Sequence, residues 1–177
     1  MMFSDPSHNI SEFDLQSGMK VADLGAGIGV LSIAAAKAVG DAGKVYAIEV
    51  QKTLLGKLKN NAKEARVNNV EALWGDIERP NGTHLKDSVV DACIASNILF
   101  QVTDKNGFIS EVKRILKPGG KVLVVDWKES YRGIGPHIDE VITEVETKSL
   151  FEKSGFRLLK KINAGSHHYG LIFKKSA

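Results

Sequence analysis

Short apolar runs recur along the chain, separated by longer stretches in which apolar positions fall three or four residues apart. The first pattern suits a buried strand and the second an amphipathic helix, so their alternation predicts β-α-β crossovers and a parallel sheet. Lys20–Leu24 reads as a first strand running into the turn Gly25-Ala26-Gly27-Ile28-Gly29, and Val30–Val39 as a helix ended by Gly40. Lys44–Glu49 is a second strand. Between Gln51 and Arg66, Leu54, Leu55, Leu58, Ala62 and Ala65 share one helical face. Val70–Trp74 makes a third strand. Beyond a polar loop over Glu78–Asp87, the run Val89–Ala95 predicts a buried fourth strand. Asp104–Leu116 follows as its crossover helix, stopped by Lys117-Pro118-Gly119-Gly120.

Lys121–Trp127 predicts a fifth strand, after which the alternation fails across Lys128–Ile142, a stretch with glycine and proline but few periodic apolar positions. Thr143 followed by Glu146 is a capping-box signature, so a helix should run to about Lys153 and stop at Gly155. Phe156–Ile162 and His168–Phe173 then close the fold. Their connection, Asn163-Ala164-Gly165-Ser166, is short enough for a hairpin that makes the last strand antiparallel. The expected fold class is α/β: an open seven-stranded sheet, mostly parallel with an antiparallel C-terminal strand, and helices on both faces.

A chain of 177 residues with 43% apolar content can bury one sizeable core, which predicts a single domain over residues 1–177. The longest apolar runs, such as Val30–Ala38, fall far short of the roughly 20 residues that span a bilayer. The polar start of the chain lacks a secretory leader pattern. The expectation is a cytoplasmic protein with no membrane partner. A lone cysteine, Cys93 in an apolar run, reads as core packing; it supports no disulfide framework, and no metal site is expected. Lysine plus arginine, 24 residues, barely exceeds the 21 acids, and the two are interspersed, so the charge neither demands nor excludes a nucleic-acid partner.

The candidate chemistry collects at predicted strand ends. Gly25, Gly27 and Gly29 leave a turn bare of side chains, so a ligand can approach the backbone where a helix begins. A dinucleotide site prefers its third glycine one position later. Asp23 lies inside the strand before the turn, where a carboxylate either braces the loop or meets a ligand. Glu49 ends the second strand, where a carboxylate can accept from both hydroxyls of a ribose, although it also suits a surface position. Gly75-Asp76-Ile77 ends the third strand; there a short acid can accept from an adenine amino group while its apolar neighbour packs on the ring, or can simply serve a turn. All would line the carboxyl ends of adjacent strands, where open parallel sheets bind ligands.

On these residues the sequence resembles the class I methyltransferases dependent on S-adenosylmethionine, over about Lys20–Lys174. Val21-Ala22-Asp23-Leu24-Gly25-Ala26-Gly27-Ile28-Gly29 is similar to the family's first motif, Glu49 to its ribose-binding acid and Gly75-Asp76 to its adenine-contacting motif. Asp91-Ala92-Cys93-Ile94-Ala95-Ser96-Asn97 resembles its fourth-strand motif, and Leu116-Lys117-Pro118-Gly119-Gly120 the loop before its fifth strand. Within the family, the nearest look is to ubiquinone/menaquinone-type and small-molecule methyltransferases. The resemblance implies a Rossmann-like fold and an S-adenosylmethionine site that yields S-adenosylhomocysteine. Gly25, Gly27 and Gly29 would face the methionine part, Glu49 the ribose, Asp76 with Ile77 the adenine, and Asn97 the sulfonium. Asp23, Ala26, Val50 and Gly75 complete the expected cofactor contacts.

The acceptor side carries less. The residues after the fourth strand, Asn97-Ile98-Leu99-Phe100, lack the Asn-Pro-Pro-aromatic element of amino-directed DNA and glutamine methyltransferases, and one cysteine does not suit an arsenic methyltransferase. No catalytic residue is assigned; Asp126, His137 and His168 are the substrate-side candidates for a general base, should the acceptor need one. Residues 1–19 would form a short lid, and a lid so short leaves an open site or one completed by another subunit, as in a homodimer. Residues 127–142 would form the acceptor loop. A small-molecule acceptor is favoured by the compact chain, with RNA and protein acceptors still open. Two rival readings are a non-catalytic or regulatory cofactor-binding subunit and a nicotinamide-dependent reductase.

Overall fold

The computed structural model describes residues 5–131 and 133–176. Four strands, β1 (Lys20–Leu24), β2 (Lys44–Glu49), β3 (Val70–Trp74) and β4 (Val90–Ser96), pair in parallel, and β5 (Leu116–Trp127) continues the parallel set beside β4. β7 (His168–Lys175) runs antiparallel between β5 and β6 (Phe156–Ile162), which gives the order β3-β2-β1-β4-β5-β7-β6. The expected reversed last strand is therefore present. The chain winds outward from β1 through β2 to β3, then resumes on the other side of β1 with β4. The direction of winding thus reverses between β1 and β4, where a doubly wound sheet opens a crevice at its carboxyl edge.

Strict alternation along the central strands builds two apolar layers. Val21, Ala92, Ile94, Leu123 and Val125 face one cluster, together with Ile10 and Phe13 of α1 (Pro6–Phe13) and Ala35, Ala36 and Val39 of α2 (Val30–Val39). Ala22, Leu24, Cys93, Ala95, Val122 and Val124 face the other, with Phe108, Ile109 and Val112 of α4 (Lys105–Ile115) and Phe151 of α5 (Glu144–Lys153). The period of two in the strands thus places helices on both faces. Cys93 is wholly buried in this second layer, and burial pushes its thiol pKa up, so it packs as an apolar residue. α3 (Lys52–Glu64) lies against the start of α2, where the Asn61 amide donates to the Ile28 carbonyl at 2.9 Å.

Three local expectations change. The segment expected as a lid contains α1, whose N-terminus is capped by the Asp5 carboxylate accepting from the Ser7 and His8 amides at 3.0 and 3.1 Å. Pro6 in its first turn has a preset φ and no amide to satisfy. Ile10 and Phe13 bury this helix against α2 and one face of the sheet; residues 1–4 of the expected lid lie outside the described residues. The fifth strand begins at Leu116, because Leu116 pairs with Val90 before a register shift carries the chain to the pairing of Lys121 with Ala92. Finally, the irregular 127–142 stretch contains a Tyr131–Ile134 bridge and one 3-10 turn, Ile138–Glu140. Residue 132 of that stretch lies outside the described residues.

Candidate functional site

A cavity of about 480 Å3 opens at the carboxyl ends of β1, β2, β3 and β4. Its first wall is the glycine turn. The Gly25 and Ala26 amides both donate to the Ile48 carbonyl at 2.9 Å, and the Gly29 amide closes the turn on the Ala26 carbonyl at 2.9 Å. Gly25 has φ 74° and would place a Cβ 2.6 Å from the Ile98 side chain, so the turn tolerates no side chain there. Gly27, φ 56°, instead faces open space, where a side chain would take up room on the cavity wall.

Glu49 organises this wall. Its carboxylate is buried and accepts from the Gly27 amide at 3.0 Å and the Gln51 amide at 2.9 Å. An ionised carboxylate offers about four acceptor positions, so two contacts leave further capacity. Val50 and Gln51 extend the same wall, and the Trp74 indole, projecting from the end of β3, donates to the Val50 carbonyl at 2.8 Å. At the next strand end, Gly75, Asp76 and Ile77 line the cavity. The Asp76 carboxylate is engaged by the Glu78 amide at 3.1 Å and the Arg79 guanidinium at 2.9 Å. A Cβ on Gly75 would stand 2.5 Å from the Gly82 carbonyl oxygen, so the close return of the 78–87 loop requires glycine there.

The fourth wall comes from Ser96, Asn97 and Ile98. Asn97 has φ 54°, and its amide donates to the Val125 carbonyl at 2.8 Å. Its side-chain oxygen is buried with no hydrogen-bond donor among the described residues. Sequence reasoning missed several lining residues: Gln51, Leu54, Glu78, Gln101 and Val102. Ile98, Gln101 and Val102 show the i, i+3, i+4 spacing of one helical turn, a signal that was present, and the Gln101 and Val102 amides indeed donate to the Ile98 carbonyl at 3.0 and 3.1 Å. Glu78 had no such signal. Its carboxylate accepts from the Thr103 and Asp104 amides at 2.9 and 2.8 Å, tying the β3 end to the start of α4.

The wall therefore carries three carboxylates, Glu49, Asp76 and Glu78, and one donorless amide oxygen, with no lysine, arginine or histidine among the described lining residues. A pyrophosphate needs the opposite, free amides and no facing acids, and the Gly27 amide is already committed to Glu49. The profile of a methyltransferase-domain family matches residues 15–173, which includes β1 to β6, all but the last two residues of β7, and the whole cavity wall.

The chain belongs to this methyltransferase-domain family.

An S-adenosylmethionine-dependent methyltransferase from Aquifex aeolicus is 30% identical to it, with 97% of this chain and 90% of that one aligned at a TM-score of 0.87. The ubiquinone/menaquinone biosynthesis C-methyltransferase UbiE of Shewanella frigidimarina is 34% identical over 122 residues, 68% of this chain and 47% of that protein. The methyltransferase domain thus spans about half the length of the curated relatives it matches. The [4+2]-cyclase SpnF shares the fold at a TM-score of 0.82 with 17% identity, over 97% of this chain and 80% of that one.

Within this methyltransferase domain, Gly25, Ala26, Gly27, Glu49, Val50, Gly75, Asp76, Ile77 and Asn97 are brought to one cavity, but Asp23 and Gly29 are not on its wall. Asp23 is buried and accepts from the Ser32 hydroxyl at 2.5 Å, joining β1 to the first turn of α2. Burial pushes its pKa up to about 6, against the lowering effect of Ser32. Gly29 begins α2, packed so that a Cβ would lie 2.7 Å from Leu58.

None of the three substrate-side candidates lines the cavity. Asp126 is buried, accepting from the Leu99 amide and its neighbour Trp127's amide, each at 2.8 Å. Burial pushes its pKa up to about 6, while those amides pull it down. It holds the turn after β4 in place. His168 is buried against the Trp127 indole, ring centroids 4.3 Å apart, and His137 is 72% exposed beside Asp139. The neighbouring His167, which the sequence reading did not single out, meets the Glu129 carboxylate at 2.6 Å and the Tyr131 ring at 3.9 Å. Among the described residues, no helix is long and apolar enough to cross a membrane. No group of three or more histidines, cysteines or acids converges there as a metal site would require.

Proposed function

We propose that this chain transfers the methyl group of S-adenosylmethionine to a small-molecule acceptor, releasing S-adenosylhomocysteine. The observation that carries the reading is the acceptor-rich, cation-free cavity wall. Of the polar groups of S-adenosylmethionine, the sulfonium, the ammonium, two ribose hydroxyls and the adenine amino group are cations or donors that such a wall can meet, and the carboxylate is its one anion. The unused acceptor capacity of Glu49 suits the ribose hydroxyls, and Asp76 with Ile77 suits the adenine edge and face. The donorless Asn97 oxygen suits the positive end of the methionine part, beside the bare turn at Gly27.

When bound, the sulfonium supplies an already activated methyl group. What this chain's residues contribute is position: the glycine turn, Glu49 and the Ile98–Val102 turn hold the donor while the acceptor approaches in line. Asp126 holds the Leu99 amide and so fixes that turn from behind. Because none of the three candidate bases lines the cavity, the reading favours an acceptor that attacks without help from a side-chain base. The absence of lysine and arginine from the described wall gives a nucleic-acid phosphate nothing to hold there, which supports a small acceptor. Similarity to the quinone C-methyltransferases makes an electron-rich ring carbon the first acceptor class to test.

Calorimetric titration with S-adenosylhomocysteine tests the donor site. Glu49→Ala should lose about 1.5–3 kcal/mol of binding free energy, the scale of hydrogen bonds to a charged group. Unchanged affinity would put the ribose elsewhere, and binding of reduced nicotinamide dinucleotides in place of the adenosyl compound would sink the reading. Release of S-adenosylhomocysteine from labelled donor with a panel of phenolic and quinol acceptors then tests transfer itself.

A further inference from the structure

At the amino edge of the sheet, opposite the cavity, a groove of about 410 Å3 gathers Lys117, Lys121, Arg157 and Lys174 around a single carboxylate, Asp91. That small area carries as much net positive charge as the whole chain, which is +3. Three of the cations form one row across neighbouring strands: Lys121 stands opposite Lys174, and Lys174 opposite Arg157. Like charges placed directly opposite one another weaken a sheet. The rest of β6 avoids this, since Lys160 meets Glu12 at 2.7 Å and Lys161 pairs with Glu144.

The acid in the groove is already spoken for. Asp91 accepts from the Lys117 ammonium at 2.6 Å and from the Lys20 amide at 2.8 Å. Lys121 donates to the Phe13 carbonyl at 3.1 Å. Arg157 and Lys174 have no ion pair or hydrogen bond from their side chains to any described residue. Pro118, Leu159 and Met19 supply an apolar wall beside them, and a second hollow of about 520 Å3 continues past Pro118 and Lys174 toward Ser176.

We propose that this groove binds a phosphate ester, its phosphate between Arg157 and Lys174 and its organic part against Pro118 and Leu159. A guanidinium and an ammonium side by side supply the fork and the point charge that phosphate oxygens accept. The positive area is a short row along the amino edge of the sheet. Glu12, bonded to Lys160, and Asp14, whose carbonyl lies 3.4 Å from the Lys121 ammonium, border it on the α1 side. The strands between groove and cavity carry five to seven residues each, roughly 16–23 Å at about 3.3 Å per residue. The groove is therefore a second site, serving to anchor or regulate, and it does not hold the atom that is methylated.

The test is titration of the full chain, at low salt, with glycerol 3-phosphate and with phosphatidylcholine vesicles containing phosphatidic acid. Saturable binding of glycerol 3-phosphate, weakened about tenfold or more (about 1.4 kcal/mol) in Arg157→Gln/Lys174→Gln, supports a free phosphate ester. Binding to the vesicles alone, with the same sensitivity to the variant, supports the same chemistry presented by a lipid headgroup. Saturable binding of neither probe, or binding to which the double variant is indifferent, overturns the proposal. S-adenosylhomocysteine affinity in the double variant should match the parent chain, showing that the fold is intact and separating this result from the fate of the methyl-transfer reading. Lys174→Gln should also raise the thermal midpoint at low ionic strength by relieving the opposed charges, and a lowered midpoint would count against the strained row.

Discussion

The two halves of the sheet are held by different means. Around β1 to β4, carboxylates grip backbone amides at turns: Glu49 holds Gly27 and Gln51, Glu78 holds Thr103 and Asp104, and Glu111 holds Asn81 and Thr83. Around the ends of β5 and β7, rings pack at a tilt: Trp127 on His168, Tyr131 on His167, with Gly135 bare because a Cβ would stand 2.8 Å from the Trp127 ring. Carboxylate–amide contacts fix loop atoms in direction as well as distance, which suits a cavity whose ligand must be read atom by atom. Such ring packing buries area more than it aims individual atoms. The β5–β7 end is thus built as a packed shoulder, and the glycine-turn side as a preorganised cradle.

Trp127→Ala should cut deepest into that comparison. Removing a large buried ring should cost about 3–5 kcal/mol of stability, read from urea unfolding, while S-adenosylhomocysteine affinity in the folded fraction stays near that of the parent chain. A parallel collapse of affinity would mean that the two halves are one mechanical unit. Gly29→Ala should cost somewhat less, about 2–4 kcal/mol, because φ 86° is strained for any side chain and Leu58 stands 2.7 Å from the new methyl. Unlike the tryptophan change, it should also weaken S-adenosylhomocysteine binding, since the turn it closes is the cradle itself.

Asp126 belongs to both halves, because it sits on β5 and holds the Leu99 amide beside the cavity turn. Asp126→Asn should lose about 1–3 kcal/mol, the scale of a charged acceptor replaced by a neutral one. It should also change the pH dependence of stability. A carboxyl with a folded pKa near 6 and an unfolded value near 4 binds its proton more tightly when folded. Its contribution is then greatest below pH 4, declines as pH rises through about 6, and is flat above. Asp23 behaves in the same way. Glu111 runs opposite: burial works against its charge, but Arg114 and Thr83 outweigh it and hold its pKa at about 2, so its stabilisation is complete above its unfolded pKa and lost on acidification toward 2. Urea midpoints from pH 4 to 7 should show a shallower decline in Asp126→Asn than in the parent, and an unaltered slope would remove Asp126 as its source. The smallest effect belongs to His137→Ala. With its ring exposed beside Asp139, it should leave both stability and S-adenosylhomocysteine affinity unchanged.

The legibility of the chain follows the same division. The donor side could be read because each of its elements is local: a glycine turn directly after a strand, an acid at a strand end, Gly75 before Asp76. The β5–β7 shoulder could not. Glu129 and His167 lie 38 residues apart and meet only because β7 folds back along β5 with Trp127 opposite His168. His137 was a candidate for its chemistry alone, and its exposure at a 3-10 turn has no signature in the pattern.

By itself, the sequence determined the order of elements, the parallel sheet with its reversed final strand, and the strand ends at which polar chemistry would collect, because apolar periodicity and turn residues act over a few neighbours. Only the tertiary structure decided which carboxylates face the cavity. Asp23 stands one residue inside the end of β1 and Glu49 at the end of β2, and Asp23 is turned onto Ser32 but Glu49 toward Gly27. It also decided that Ile10 and Phe13 of α1 pack on one face of the sheet, and that three cations meet in one row at its amino edge. Side-chain direction, strand register and helix docking come from contacts between residues far apart in the chain, and a pattern of neighbours carries no record of them.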